Sequence, residues 1–132
     1  MDPFSVAASV VGLVSFCADV IGYLQGAKHA PKSAEKLSAQ ILSLQHVLKN
    51  LDTFLQGDAA KDERFERTSA LIRSTEVCQC ELQRLLEKLK NVNKSILQRA
   101  TFPLNEKEIN RSIDVLRGCA QTFQFSLTVD GW

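Results

Sequence analysis

Lysine and arginine are missing ahead of Lys28, so the basic leader of a secretory signal is absent and secretion is not expected, although an apolar run follows Met1-Asp2-Pro3. Proline and glycine are scarce, nine together in 132 residues, and the valines, isoleucines and aromatics do not fall into short alternating runs. Both observations argue against an all-β sandwich or barrel. Charge of one sign is not in excess: 16 basic side chains face 15 acidic ones, too even a balance for whole-surface attraction to nucleic acid. The four cysteines, Cys17, Cys78, Cys80 and Cys119, show no cysteine-rich spacing, and a chain of this length can bury a core without staples. Reduced thiols in an intracellular protein are the expectation.

Catalytic signatures are missing too. There is no glycine-rich phosphate loop, no Gly-x-Ser-x-Gly elbow and no Walker pattern. His29 precedes Pro31, and His46 flanks a helical seam; neither has an acid at helical ligand spacing, so no metal is expected. Cys78 and Cys80 are two residues apart, which turns a helix by about 200° and puts the sulfurs on opposite faces. Cys78 is expected in the core and Cys80 outside it. The chain is therefore read as a non-enzyme with no cofactor.

What is present is helical periodicity. With 45% hydrophobic and 23% charged residues, the chain has the composition of one globular domain spanning 1–132. Asp2 before Pro3 is a helix start, and Gly26 followed by Pro31 is a stop, which bounds a hydrophobic N-terminal helix of 24 residues, roughly 36 Å long at ~1.5 Å per residue. A second helix is expected over Ser33 to Gln56, with Ala34, Leu37, Ile41, Leu44, Leu48, Leu51 and Leu55 alternately three and four residues apart. A third runs from about Asp62 to about Val92, with Phe65, Ile72, Cys78, Leu82, Leu85, Leu89 and Val92 inward. Asn105 and Glu108 make a capping-box start for a fourth, carrying Ile109, Ile113, Leu116, Ala120, Phe123 and Leu127. A short helical turn is allowed within Lys94 to Pro103, with Thr101-Phe102-Pro103 extended. The fold class is an all-α, single-domain bundle of about four long helices.

The first helix carries two seams. Val6, Val10, Leu13, Cys17, Val20 and Leu24 form a bulky stripe; Ala8, Gly12, Ser15, Asp19, Gly22 and Gly26 form a small one on the opposite side. Small residues let another helix backbone approach closely, as in bilayers, and no charge interrupts the chain from Pro3 to Ala18. The helix can span ~30 Å of hydrocarbon if Asp19 is paired, neutralised or near an interface. At rest the expectation is the central helix of a soluble bundle, surrounded on most sides. The two readings are compatible, because a helix buried at rest can be released. Asp19 is then either a gate on insertion depth or a clasp within the resting bundle.

Arg84, Lys88, Lys90, Lys94 and Arg99 face one acid, Glu87, in the same stretch. Anionic lipid headgroups attract such a cluster by roughly 1 kcal/mol per cation near the surface; a solvated helix face is the plainer reading. No aromatic interleaves these cations, so nucleic acid is not the expected partner.

The opening Met-Asp-Pro-Phe-Ser-Val-Ala-Ala-Ser-Val-Val-Gly-Leu resembles the start of the fungal N-terminal domain of NACHT-type STAND proteins, the HeLo-like group. Thr101-Phe102-Pro103-Leu104-Asn105-Glu106-Lys107-Glu108-Ile109 is similar to that family's aromatic-proline segment leading into a charged helix, and Phe125-Ser126-Leu127 to the end of that helix. Phe102 stands where the family often has tryptophan. The resemblance implies a helical bundle that executes or transmits programmed cell death and heterokaryon incompatibility in filamentous fungi. It implies membrane lipids as conditional partners, engaged through the N-terminal helix once a NACHT-type sensor or an amyloid-forming motif drives self-association. By the same resemblance the protein is cytoplasmic, relocating to the plasma membrane on activation. A non-toxic interaction or oligomerisation module of a larger sensor is the alternative, and an inert cap on such a sensor a third.

Overall fold

A computed structural model of the chain describes residues 3–26, 30–56, 69–91, 102 and 104–130. Among these residues there are four helices and no strand: α1 (Pro3–Gly26), α2 (Lys32–Leu55), α3 (Ser69–Asn91) and α4 (Glu106–Asp130). The expected turn within Lys94 to Pro103, the stretch 62–68 of the third helix, Gly57 and the side chains of Val6, Phe65 and Val92 fall outside what is described.

Each helix forms where its apolar spacing is helical and buries the stripe which that spacing creates. In α2 the residues from Ala34 to Leu51 at alternating three- and four-residue steps are all buried, and Leu55 lies at the margin. The helix begins at Lys32, behind Pro31, whose extended backbone (φ −70°, ψ 165°) cannot continue a helix backwards. In α4, Ile109, Ile113, Leu116, Ala120 and Phe123 are buried, with Leu127 packed at the edge.

Two local expectations are corrected. Ile72 sits only partly buried beside the core, and Leu71 and Thr75 take the inner positions, so that Leu71, Thr75, Cys78, Leu82, Leu85 and Leu89 form an unbroken α3 seam. A hydroxyl can occupy that seam because Thr75 Oγ1 donates to the Ile72 carbonyl at 2.6 Å, satisfying itself within its own helix. At the start of α4, Asn105 Oδ1 accepts the Glu108 amide at 2.8 Å, as a cap should. The return arm differs: the Glu108 carboxylate takes the Asn105 side-chain amide at 3.1 Å and the Lys88 ammonium at 2.6 Å. A positive charge on α3 outcompetes a neutral backbone amide for it.

Among the described helices the packed pairs are α1 with α2, α2 with α4, α4 with α3 and α3 with α1, so these four helices stand at the corners of a square. This overturns the expectation that α1 is the central helix. It occupies a corner, flanked by α2 and α3, and it buries only the faces turned to them. A four-helix bundle closes its core with one stripe from each helix, which leaves no helix in the middle.

Candidate functional site

The bulky seam of α1 is its anchoring face. Val10, Leu13, Cys17, Val20 and Leu24 are buried, joined by Ile21. One polar contact adds to the docking: Gln45 Nε2 on α2 donates to the Val14 carbonyl at 3.1 Å, thirty-one positions away in the chain.

The small seam points outward. Ala8, Ser15, Asp19, Gly22 and Gly26 are exposed, and Val11 is 54% exposed beside them. Gly12 is half-buried at a groove of about 260 Å³ between α1 and α3, lined by Ala8, Ser9, Leu13, Phe16 and Gln79 as well. A methyl built on Gly12, Gly22 or Gly26 meets no atom within 4 Å, so no close backbone approach in the resting bundle requires these glycines. Helix propensity alone then decides the effect of filling them. Gly22→Ala is expected to raise the unfolding free energy by ~0.5–1 kcal/mol, read by chemical denaturation. Gly22→Leu, at undiminished stability, is expected to impair self-association of the chain, because bulk now stands on the outer face.

Asp19 is exposed, and among the described residues nothing pairs with it, so no clasp is observed within the described bundle. The stretch Ala8–Gly26, 19 residues, is long and apolar enough to cross a bilayer, and 33% of its apolar window is buried. A helix shielded by the fold would be buried over most of that length. Here apolar length and exposure coincide.

The basic cluster is not assembled as a free surface. Arg84 Nη2 lies 2.5 Å from Glu81 Oε1 and 2.9 Å from Ser112 Oγ, and Ser112 in turn donates to Glu81 Oε1 at 2.6 Å. Lys88 is ion-paired to Glu108 at 2.6 Å. These contacts clasp α3 to α4, so two of the expected headgroup ligands already have intramolecular acids. Lys90 is exposed, and Lys94 and Arg99 fall outside the described residues. The acids responsible, Glu81 and Glu108, lie outside the sequence window that defined the cluster.

Burial by itself raises the Glu81 carboxyl pKa, but hydrogen bonds from Arg84 and Ser112 and the charges of Arg84 and Arg111 outweigh it and hold the carboxyl below its ordinary range. A carboxylate depressed in the folded state contributes stability above its unfolded pKa and loses it as pH falls through the folded one. Unfolding measured from pH 7 down to pH 3 is therefore expected to show a loss of stability below the ordinary glutamate range. In Glu81→Gln that component of the slope disappears; an unchanged slope would show that the clasp does not titrate.

Of the residues that the resemblance rests on, Phe102 packs half-buried against the core and Leu104 is buried, whereas Phe125 is 66% exposed. His46 is exposed, and among the described residues no three histidine, cysteine or acidic side chains are grouped to hold a metal ion. Compared with known proteins, the chain matches no family model, no curated protein and no solved structure.

Proposed function

We propose that the chain is a HeLo-like cell-death or incompatibility effector domain, which acts on membranes through α1 after self-association. The observation that carries the proposal is the exposed outer face of a helix of membrane-spanning length, Ala8–Gly26, standing at a corner of the bundle. A corner helix parts from two neighbours rather than three, and its outer face needs no unfolding to meet lipid. The anchoring seam holds α1 at rest; clustering by a fused or separate NACHT-type sensor supplies the interactions that compensate for its release. The protein is cytoplasmic until then and moves to the plasma membrane, with Lys90 the exposed cation of the basic cluster among the described residues.

Dye release from anionic liposomes tests this reading, using the full chain alone and the chain fused to an oligomerising coiled coil. Clustered protein is expected to release dye, Val11→Asp on the outer face of α1 to abolish release, and Val77→Asp on α3 to leave it intact; both valines are solvent-exposed, so folding is undisturbed. Absence of release even from the clustered chain sinks the proposal. The exposed glycine and alanine positions of α1 equally favour a second reading, an oligomerisation module that never enters lipid. That reading expects self-association sensitive to Gly22→Leu with no dye release.

A further inference from the structure

Three cysteines from three helices, Cys17 on α1, Cys78 on α3 and Cys119 on α4, are buried as free thiols in the core, while Cys80 is exposed. We propose that Cys78 and Cys119 form an oxidisable pair, which a peroxide closes into a reversible disulfide stapling α3 to α4. Helix register is the first support. Lys88 meets Glu108 across the antiparallel α3–α4 interface. Stepping ten residues back along α3 reaches Cys78, and eleven forward along α4 reaches Cys119, displacements of roughly 15 and 16.5 Å at ~1.5 Å per residue. Both sulfurs thus stand at one level of the interface. Helices packed about 8–10 Å apart, with Cα atoms about 2.3 Å from each axis, bring directly facing Cα atoms to about 3.4–5.4 Å, which overlaps the roughly 4.4–6.8 Å that a disulfide spans.

The two thiols also influence one another: the Cys119 side chain, with burial, pushes the Cys78 thiol up, and the Cys78 side chain holds Cys119 below the ordinary thiol value. Cys119 is accordingly the nucleophile of the pair. Its sulfur attacks one peroxide oxygen, the O–O bond breaks, and the thiol proton leaves with the other oxygen as water, giving Cys119 sulfenic acid. The Cys78 sulfur then attacks that sulfur and expels the hydroxyl, which takes the Cys78 proton and departs as a second water. Two thiols and one hydrogen peroxide become one disulfide and two waters. Cys17 is the neighbouring competitor: burial pushes its thiol up to about 12, and it sits on α1, off the α3–α4 interface whose register sets Cys78 and Cys119 at one level. The inference stands on the α3–α4 interface and is independent of what α1 does at a membrane.

The test treats the full chain with hydrogen peroxide and maps peptides under non-reducing conditions. The expected product is an intramolecular Cys78–Cys119 link, with Tm raised on the order of 10 °C by closure of that loop and restored by dithiothreitol. Cys78→Ala and Cys119→Ala are each expected to lose the Tm shift, and Cys80→Ala to keep it. A link from Cys17 to Cys78, Cys80-linked dimers as the sole product, or sulfinic acid without any cross-link each overturns the proposal. So does a fully reduced Cys78 and Cys119 after prolonged exposure in mild urea, where local opening admits the oxidant.

Discussion

Truncating Phe123 to alanine is expected to lower the unfolding free energy by about 3–5 kcal/mol. Among the described residues Phe123 is the largest of the fully buried side chains, at 0% exposure, on the seam by which α4 completes the core. Removing its ring forfeits the transfer of the lost carbons and leaves a cavity that helices pinned at four corners cannot collapse around. Domains of this size are stable by only ~5–15 kcal/mol, so a large part of the margin is at stake. Leu48→Ala, also at 0% exposure, is expected to cost about 2–5 kcal/mol for the same reason. The control lies two residues from Phe123: Phe125 is 66% exposed, and Phe125→Ala should stay within about 0.5 kcal/mol of the parent. Urea titrations of the three variants give the comparison. A Leu48→Ala loss below about 0.5 kcal/mol would show that the buried seam is misassigned.

Asp19→Asn is expected to raise the liposome-bound fraction of clustered protein roughly tenfold or more at unchanged resting stability. Asp19 is the lone charge of the spanning stretch Ala8–Gly26 and lies two residues past its midpoint. An ionised carboxylate near the centre of a spanning helix costs on the order of 2.5–3.5 kcal/mol on insertion scales, and about 1.4 kcal/mol is a factor of ten. The amide removes most of that cost, and Asp19→Lys keeps it. Because Asp19 is exposed and unpaired among the described residues, the neutral variant removes no contact from the bundle, so its unfolding free energy should match the parent within about 0.5 kcal/mol. Binding and stability measured together decide the matter. If binding rises only in step with lost stability, the residue restrains α1 at rest after all; if neither quantity moves, it has no part in depth control.

The corner position of α1 links these two results. Truncation on the inner face acts on the core shared by all four helices. Substitution on the outer face acts on a surface that the fold leaves uncovered, so the two can be varied separately.

Much of this was legible in the chain alone. Local periodicity and punctuation determined the four helices, because a three- and four-residue apolar rhythm requires one buried stripe whatever lies opposite. Leu37 to Leu51 and Ile109 to Phe123 are buried as their spacing demands, and α1 runs from Pro3 to Gly26 as its end signals require. Tertiary structure alone decided what each stripe and charge meets. Spacing could not tell that α1 stands at a corner, since that follows from which helices neighbour it. It could not tell that Arg84 and Lys88 are taken by Glu81 and Glu108, because register between α3 and α4 brings the second acid across. Nor could it set Cys78 and Cys119 at one level of the α3–α4 interface, which the Lys88–Glu108 contact fixes. A helix's period is set by bonds four residues apart, whereas the partner of a side chain is set by how two whole helices slide and turn against each other.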